Sequence, residues 1–421
     1  MVKKMFYFVF LIGYLFSYSI VDYTDVPYAT KGNNSPKIFS TPFLWDSILH
    51  VVFLKSDGIY YGKSTNFGNN WEVSQFVSSS RARNPGIYLS PNRYRNLVWE
   101  KDTFNNSEIF YYCLDIRMLP INVSETPGKS YSPSLTVDNQ TSLGNVHIVF
   151  ADSSFGKSRI YYRKWNFQSL SDTFQITNFD SLGLFDHTNP TIGIFDNNRI
   201  YVFWQAYSSE VPYPYRIMCR YLENDTWRQP FTIFGSEELL AHPTCDFTNN
   251  DEGFSIGFED YHIGNGIPDC RFLGGNGGGY PTPDSSTYPT LSTIGGVWSY
   301  LAWMEGERDI YLHFYYFMTG WYYSGSLPRN EKVRYPSFYG ANLVWTEGDT
   351  APYKVMYHNF GYPIGIKEEK EKPITITKNL YNQNLIYDKE GRLVNINKIN
   401  KIRTGIYFVK DKNRFRKVIK F

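Results

Sequence analysis

The stretch NPGIYLSPNRYRNLVWEKDTFNNSEIFYYC, residues 84–113, contains the unit from which most of the chain is built. A polar residue and a proline open the unit, at Asn84 and Pro85. An apolar segment ending in an aromatic residue and an acid follows (NLVWE), and then a second aromatic segment (IFYYC). Short apolar runs bounded by Gly, Pro and Asn are typical of β-strands. The stretch therefore predicts one small antiparallel sheet.

This unit occurs seven times in the chain. The proline-to-proline steps are 49, 48, 57, 53, 46 and 47 residues. The opening dipeptides are Ser35-Pro36, Asn84-Pro85, Ser132-Pro133, Asn189-Pro190, His242-Pro243, Tyr288-Pro289 and Tyr335-Pro336. Repeats of this length with three or four short strands each predict an all-β fold, a seven-bladed β-propeller over residues 20–366. A ring of blades buries the faces that one blade alone leaves exposed.

Two points about this ring stay open in the sequence. The seventh blade is completed either by residues 20–32, from the start of the chain, or by residues 362–366, after the last repeat. An array of β-sandwiches with accidental proline spacing is the alternative architecture, and seven repeats in phase argue against it.

Composition agrees with a β-rich protein and excludes one class of partner. Tyr, Phe and Trp make up 19% of the 421 residues and favour pleated, half-buried surfaces. Residues 366–421 carry 15 Lys/Arg against 6 Asp/Glu, a balance of +9, so with Lys3 and Lys4 residues 21–365 carry −9. An acidic body argues against nucleic acid, because phosphate-backbone binding needs a basic face.

The first 19 residues have the pattern of a secretory signal peptide. Lys3 and Lys4 precede an apolar run from Met5 to Phe16, and small residues follow at Ser17 and Ser19. The run is too short for a comfortable membrane span, and an uncleaved anchor is the alternative. After signal cleavage we expect no transmembrane span, and we expect a secreted or surface-attached protein.

The segment STNFGNNW, residues 64–71, follows the aromatic strand of the first repeat. Ser64 and Asn66 can bond neighbouring amides, Gly68 can adopt positive φ, and Trp71 can pack back on the blade. The S-x-N-x-G-x-x-W pattern resembles the Asp-box of the sialidase superfamily, with Asn66 in the usual Asp position. Segments 224–227 and 319–321 are shortened relatives of it. The resemblance implies a structural turn on the face opposite the ligand site.

The chain ends in a short basic module. The charged run at residues 366–373 predicts a linker over residues 367–384, and residues 385–421 predict short antiparallel strands separated by a turn at Gly391. This module resembles the second half of the C-terminal sorting domain of type IX secretion. The matching residues are Asp388, Gly391, Arg392, Gly405, Tyr407 and Phe408. The resemblance implies type IX secretion machinery as a partner, and a basic hairpin docked on the propeller is the alternative.

Loops that enter the innermost strands of a propeller meet around its axis, as do loops that leave the second strands. This geometry predicts a binding face for a glycan or protein ligand, with Tyr288 and Tyr335 beside the candidate residues and Trp204, Trp303 and Trp345 as stacking surfaces. The candidates are Arg83, Asn84, Glu100, Asp152, Asn189, His242, Glu259, Asp260, Glu305, Arg334 and Glu347.

The resemblance to sialidases also raises the possibility of catalysis. Retaining sialidases use a Tyr nucleophile assisted by a Glu. The family also holds the substrate carboxylate with three arginines, and it has an early aromatic-Arg-Ile-Pro segment that is missing before Asn84. The sequence therefore favours a binding propeller without catalysis, and a sialidase-like glycoside hydrolase is the alternative. A carboxylate pair such as Glu259 with Glu305 has no spacing rule behind it.

Four cysteines and seven histidines give no metal signature. Cys113, Cys219, Cys245 and Cys270 form no C-x-x-C motif or His/Cys cluster, so we expect neither a zinc site nor a cofactor. Three of the four cysteines stand in aromatic strand contexts, which predicts buried thiols at equivalent repeat positions. His147 lies mid-strand and is expected to be structural.

Overall fold

The computed structural model describes residues 18–31, 35–40, 48–104, 106–116, 118–141, 143–154, 156–180, 182–195, 199–247, 254–261, 268–273, 285–294, 298–316, 321–360, 385–388, 405–411 and 414–420. The chain divides into two compact units, Met1–Gly361 and Tyr362–Phe421. Within the described residues every regular element is a β-strand. None of these residues forms a helix long and apolar enough to cross a membrane.

The larger unit is a seven-bladed β-propeller, as the repeat predicts. Blade one contains β2 (Ile38–Ser40), β3 (Leu49–Lys55), β4 (Gly58–Ser64) and β5 (Glu72–Ser78). Blade two contains β6 (Ala82–Leu89), β7 (Arg95–Asp102), β8 (Ser107–Cys113) and β9 (Ile121–Asn122). Blade three contains β10 (Ser130–Val137), β11 (Val146–Asp152), β12 (Arg159–Trp165) and β13 (Phe174–Gln175).

Blades four to six continue the same order. Blade four contains β14 (Asp186–Phe195), β15 (Arg199–Tyr207), β16 (Tyr215–Glu223), β17 (Thr226–Trp227) and β18 (Phe231–Ser236). Blade five contains β19 (Leu240–Phe247), β20 (Phe254–Asp260) and β21 (Asp269–Leu273). Blade six contains β22 (Ser286–Ile294), β23 (Trp298–Glu305), β24 (Asp309–Tyr316) and β25 (Trp321–Pro328).

Blade seven is closed by the start of the chain. It contains β26 (Val333–Tyr339), β27 (Asn342–Glu347) and β28 (Tyr353–Asn359), and its outermost strand is β1 (Ser19–Thr24). Strand β1 pairs antiparallel with β28, from Ser19 opposite Tyr357 to Thr24 opposite Tyr353. Of the two closures that the sequence leaves open, the structure therefore shows the N-terminal one.

The repeated aromatic residues fill the space between blades. Trp204, Trp303 and Trp345 are 0% exposed, and each lies on the second strand of its blade. A polar residue on the second strand also meets a tyrosine on the third in several blades. Tyr111 Oη donates to Asn96 Oδ1 at 2.7 Å, and Tyr357 Oη donates to Asn342 Oδ1 at 2.8 Å. These bonds satisfy hydroxyls that the core would otherwise bury unpaired.

Histidine takes the same polar position in two other blades. The Nδ1 atom of His147 lies 2.8 Å from Tyr162 Oη, and that of His50 lies 2.6 Å from Tyr61 Oη. Asp138 Oδ2 contacts the Nε2 atom of His147 at 3.2 Å. Burial lowers the pKa of His147, and the contact with that histidine is the largest influence holding the pKa of Asp138 down at about 2. His147 is structural, as expected.

The segment Ser64–Trp71 forms the connection between β4 and β5. Ser64 Oγ accepts the Gly68 amide at 2.9 Å, and Asn66 Oδ1 accepts the Asn70 amide at 2.9 Å. Gly68 has φ of +82°, and the Trp71 indole packs edge-on against Tyr357 of blade seven at 5.3 Å. The turn thus ties blade one to blade seven.

Two further tryptophans repeat this contact between blades. Trp227 packs edge-on against Tyr162 of the preceding blade, with ring centroids 5.1 Å apart. Trp165 meets Tyr111 of the preceding blade at 6.4 Å. Trp227, in the shortened 224–227 segment, therefore packs against the preceding blade as Trp71 does. Residues 319–320, in the other shortened segment, lie outside the described residues.

The four thiols are free, but their positions differ from the prediction. Cys113, Cys219 and Cys270 are buried in third strands, where they lie opposite Asn96, Phe203 and Glu259. These three partners occupy different positions along the second strands, so the cysteines are not equivalent. The similar aromatic contexts reflect the strand type, not a fixed position in the repeat.

The smaller unit contains a three-stranded antiparallel sheet. Its strands are β29 (Leu385–Asp388), β30 (Gly405–Asp411) and β31 (Arg414–Lys420), in the order β29-β30-β31. Asp388 lies opposite Tyr407, and Gly405 lies opposite Lys420. The predicted turn residues Gly391 and Arg392 and the linker 367–384 lie outside the described residues.

Candidate functional site

Six of the seven innermost strands bend at the same place. In each, the repeat proline and the residue before it oppose a single residue of the second strand, which is a β-bulge. The residue before the proline has positive φ in all six. These residues, here called the mouth ring, are Asn84 (50°), Ser132 (52°), Asn189 (50°), His242 (49°), Tyr288 (53°) and Tyr335 (53°).

The residue opposite each bulge explains why the bend repeats. It is always the large aromatic of the second strand: Trp99, Phe150, Trp204, Phe258, Trp303 or Trp345. A proline has no N–H to add to the ladder, so the bulge leaves no donor unpaired there. Left-handed φ is costly for residues other than glycine, and here it occurs at every blade from two to seven.

The mouth ring gathers half-buried polar and aromatic side chains at one end of the axis. The rings of His242 and Tyr288 lie 4.8 Å apart, and those of Tyr288 and Tyr335 lie 4.6 Å apart at 78°. Ser132 Oγ lies 3.4 Å from Asn189 Oδ1. Burial, together with Tyr335 and Glu259, raises the pKa of Tyr288. Side chains from five successive blades thus come into mutual contact in two groups.

Two of the predicted acids support this ring from below. Glu100 is 2% exposed, and its Oε2 atom accepts the Asn84 side-chain amide at 2.9 Å. Glu259 is 1% exposed, and its Oε1 atom accepts the Tyr288 backbone amide at 2.6 Å. The same oxygen lies 2.9 Å from His242 Nδ1, but without hydrogen-bond alignment.

A glutamine takes the equivalent place in blade four. Gln205 lies opposite Thr188, as Glu100 lies opposite Arg83, and its Oε1 atom accepts the Asn189 side-chain amide at 3.0 Å. At these second-strand positions the prediction included only acids, and Gln205 was not among the predicted residues. Its position one residue after the second-strand tryptophan is the signal that could have identified it.

Four other predicted acids do not lie at the opening. Asp152, Asp260, Glu305 and Glu347 are 1–8% exposed. All four stand two residues after the second-strand aromatic, and their carboxylates bind within or between blades. Asp152 accepts Thr126 Oγ1 at 2.6 Å, and Glu305 accepts Ser286 Oγ at 2.8 Å and Trp303 Nε1 at 3.0 Å. The expectation that these acids form an axial rim is therefore corrected.

The remaining two of these acids have arginine partners. Glu347 binds Arg329 at 2.8 Å and accepts Trp345 Nε1 at 2.8 Å, and Asp260 pairs with Arg271. The three fully buried tryptophans, Trp204, Trp303 and Trp345, likewise offer no stacking surface. Adjacent residues of a strand point to opposite faces, so these acids, two residues after the aromatic, share the buried face of the tryptophans and do not face the opening.

The two predicted arginines are held beside the opening. Arg83 is paired with Glu100 and Asp102, and its side chain is 39% exposed. Arg334 donates to the Gly348 carbonyl at 2.6 Å and lies over the Tyr353 ring at 5.3 Å. Both arginines are therefore engaged with groups of their own blades.

The mouth ring opens into an axial cavity of about 100 Å³. His242, Tyr288 and Tyr335 line its upper part, and Thr244, Thr290 and Ser337 lie deeper. Phe39, Tyr88 and Tyr339 close the opposite end, with the Phe39 and Tyr339 rings 3.6 Å apart and the Phe39 and Tyr88 rings 4.5 Å apart. Burial raises the pKa of Tyr88 to about 12. These three aromatic rings narrow the cavity at the end opposite the mouth ring.

A second concavity of about 620 Å³ lies between the outer strands of blades three and four. Its aromatic lining is already engaged in packing, since Trp227 stacks on Phe174 at 5.5 Å and meets Tyr162 edge-on. Arg220 is likewise bound to the Ile176 and Arg228 carbonyls. The side chains of this groove hold two blades together, and the mouth ring is the better candidate for a ligand.

Comparison with known proteins gives the fold and little else. No family model matches the chain, and no curated protein matches its sequence. Polysaccharide lyase Uly1 superposes with a TM-score of 0.50 at 8% identity, over 79% of this chain and 90% of that one. Its similarity at this identity shows a shared fold alone.

Two other solved structures are more distant. An α-L-arabinanase from Penicillium chrysogenum has a TM-score of 0.43 at 10% identity, over 82% of this chain and 98% of that one. A Trypanosoma rangeli sialidase mutant has a TM-score of 0.42 at 8% identity, over 77% of this chain and 53% of that one. The chain thus spans about half the length of that sialidase.

Proposed function

We propose that this protein binds a glycan through the mouth ring and does not catalyse a reaction on it. The observation that carries the proposal is the bulge itself. It places six half-buried side chains around one opening, and it does so with a backbone conformation that costs about 1–3 kcal/mol at each position. Strain of this kind persists where the surrounding fold imposes it, and it concentrates at ligand sites.

The chemistry of the ring suits a sugar. A sugar offers apolar C–H faces to aromatic rings and hydroxyls to amides and imidazoles. Tyr288 and Tyr335 supply the rings, and Asn84 and Asn189 supply amide groups that both donate and accept. Sites of this type combine aromatic walls with a few placed polar groups in a concave opening. A protein ligand would use the same surface, and the experiment below separates the two.

The surroundings of the buried acids support binding without catalysis. Glu305 is bound to Ser286 and Trp303, and Glu259 is bound to the Tyr288 amide. These carboxylates are engaged in holding strands, so the pair Glu259 and Glu305 does not form an exposed acid and base. The mouth ring contains no carboxylate of its own among the described residues.

A glycan array with the purified protein tests the proposal, followed by calorimetry on the best ligand. Tyr335→Ala removes a half-buried ring from the mouth, and we expect it to weaken binding about tenfold, which corresponds to about 1.4 kcal/mol. Tyr23→Ala is the matched control, because Tyr23 is 49% exposed on the outermost strand of blade seven. Binding that survives Tyr335→Ala, or an array without a ligand, contradicts the proposal.

A turnover assay on fluorogenic glycosides tests the second half of the proposal. We expect no hydrolysis above background. Hydrolysis by the wild-type protein that is lost in Glu305→Ala or Arg334→Ala would instead establish a sialidase-like glycoside hydrolase.

We further propose that the protein is exported to the cell surface or the medium. The signal-peptide pattern of residues 1–19 and the sorting-domain resemblance of residues 385–421 support this proposal. Deletion of residues 385–421 should leave the propeller folded and retain the protein inside the cell, as measured by fractionation. A truncated protein that still reaches the surface contradicts the sorting role.

A further inference from the structure

The residue that follows each repeat proline forms a second ring below the mouth. The seven residues are Lys37, Gly86, Ser134, Thr191, Thr244, Thr290 and Ser337. Five carry hydroxyls, one is glycine and one is lysine. Except for Lys37, each of these residues directly follows the bulge of its blade and pairs with the second strand at the same register position. The level therefore combines one cation with hydroxyls from five blades.

Lys37 points to the axis. Its neighbours two residues away both do so, because Ser35 Oγ reaches the Pro133 carbonyl of blade three at 3.5 Å and Phe39 stacks on Tyr339. Lys37 directly precedes β2 and is among the residues that line the axial cavity. The Lys37 Nζ atom donates to the Pro85 carbonyl of blade two, and the residue is 1% exposed.

Lys37 lines the axial cavity together with Thr244, Thr290 and Ser337. Two of these hydroxyl oxygens accept backbone amides of the next blade: Thr290 Oγ1 accepts Phe338 N at 3.0 Å, and Ser337 Oγ accepts Lys37 N at 2.9 Å. A hydroxyl that accepts in this way still carries one O–H to donate, and an ammonium has three N–H donors. The level is thus rich in donors.

A buried ammonium is costly to keep charged. Burial lowers the pKa of Lys37 to about 7, so near neutral pH a bound anion would favour its charged form. A carboxylate, Asp246, lines the cavity two residues beyond Thr244, at the level of the closed end. Its Oδ2 atom accepts Ser292 Oγ at 3.1 Å and the Thr293 amide at 2.8 Å.

We propose that this level of the channel binds a tetrahedral oxyanion, with the Lys37 ammonium as counter-ion and the hydroxyls of Thr244, Thr290 and Ser337 as donors. The donors come from four consecutive blades, five, six, seven and one, and therefore approach from several directions, which suits four tetrahedral oxygens better than one planar carboxylate. A cavity of about 100 Å³ has room for several water-sized groups at about 10–15 Å³ each, so five heavy atoms fit. The oxyanion is either a free sulfate or phosphate or an ester group on a sugar.

Calorimetric titration with sodium sulfate tests this site, with sodium chloride at matched ionic strength as the reference. We expect one sulfate per chain. Lys37→Met, which keeps the length of the side chain without its charge, should weaken sulfate binding at least tenfold. Lys101→Met is the matched control, because Lys101 lies on β7 away from the axial cavity. Sulfate binding by this variant should be unchanged.

A second variant keeps the test decisive if Lys37→Met fails to fold. Thr244→Val is nearly isosteric and removes one donor while Lys37 stays, and it should weaken sulfate binding about threefold to tenfold. Sulfate binding that equals chloride binding in the wild-type protein overturns the proposal. Equal sulfate affinity in the wild-type protein and in folded Lys37→Met or Thr244→Val also overturns it.

The source of the oxyanion is distinguished by comparing sulfate, glucose 6-sulfate and glucose. Tighter binding of glucose 6-sulfate than of sulfate, lost in Lys37→Met, supports an ester group on a glycan. Equal binding of the two, both lost in Lys37→Met, supports a free anion. The site does not depend on the proposed glycan function, because a protein that binds sulfate but no glycan refutes only that function. A protein that binds neutral glycans equally well with Lys37→Met, and no sulfate, refutes only this site.

Discussion

Ser132 and Ser134 stand on either side of Pro133 in β10 and differ in backbone conformation. Ser132 has φ of 52°, whereas Ser134 is not among the residues with positive φ. Ser132→Gly should therefore raise the free energy of unfolding by about 1 kcal/mol, because glycine adopts this conformation without a Cβ clash. Ser134→Gly should lower it by about 0.5–1 kcal/mol, as glycine does inside strands. Urea unfolding of both variants checks the pair, and a stability loss in both would show that the bulge is unstrained.

Gly68 combines a special conformation with close contact. A Cβ at this position would lie 2.0 Å from the Tyr357 ring, and φ is +82°. Gly68→Ala should therefore lower the free energy of unfolding by about 2–4 kcal/mol. Gly156→Ala isolates the conformational part, because Gly156 has φ of +91° and no atom within 4 Å of the added Cβ. We expect about 1 kcal/mol there by thermal unfolding, and equal losses at both positions would contradict the ring contact.

The predicted acids divide into two groups that the sequence does not distinguish. Glu100 and Glu259 come directly after the second-strand aromatic and support the mouth ring. Glu305 and Glu347 come one residue later and face away from it. A bulge in the neighbouring strand decides which of the two positions meets the opening, and no residue of the second strand reports that bulge. The repeat proline marks the bulge, but only the structure shows which second-strand position lies next to it.

Among the elements, β1 limits where a signal peptide can end without loss of contacts in the propeller. Trp71 Nε1 donates to Ser19 Oγ at 3.2 Å, and the Arg329 guanidinium lies 4.1 Å from the Tyr18 ring. A signal peptide ending at residue 19, as the sequence predicts, would remove both partners. We therefore expect cleavage at or before the bond preceding Tyr18. N-terminal sequencing of the mature protein checks this, and a first residue beyond Tyr18 would contradict it.

Deletion variants test the same strand for stability. A chain that starts at Tyr18 should unfold like the mature protein. Removal of residues through Thr24 takes away the outermost strand of blade seven and the buried Val21 side chain, and it should lower the free energy of unfolding by about 3–5 kcal/mol. Equal melting temperatures for the two variants would show that the ring does not depend on β1.

The repeat itself is the element that the sequence predicts best. Seven prolines in phase, each followed by two aromatic strands, gave the blades and their order. The sequence does not predict the contact of a fourth-strand tryptophan with the preceding blade. Trp227 and Tyr162, for example, are 65 positions apart in the chain. Contacts between blades depend on the closed ring, so they cannot be predicted from the sequence of a single repeat.

At the scale of the whole molecule, buried histidines make stability depend on pH. Burial lowers the pKa of His187, His313 and His358 to about 4, below the value near 6.5 of an unfolded chain. Between pH 6.5 and 4 the unfolded chain binds protons that the folded chain does not. Stability is therefore fully present above pH 6.5 and falls by up to about 1.4 kcal/mol per pH unit for each histidine as the pH drops.

Urea unfolding from pH 7 to pH 4 measures this loss. Three such histidines make a slope of up to about 4 kcal/mol per pH unit, a large part of the 5–15 kcal/mol typical of a domain. His358→Phe should reduce the slope by about 1.4 kcal/mol per pH unit, the contribution of one proton. The phenyl ring should be accommodated, since the His358 side chain packs among the rings of Tyr18 and Phe360. A stability that is flat between pH 6.5 and 4.5 would contradict the buried, neutral state of these histidines.

We propose that the mouth ring is where this propeller binds its ligand. Hydroxyl-radical footprinting with and without the best ligand from the glycan array measures this most directly, because it reports protection at each oxidisable side chain. We expect protection of His242, Tyr288 and Tyr335, with Tyr23 unchanged. Protection confined to Trp227 and Phe174, in the groove between blades three and four, would contradict it.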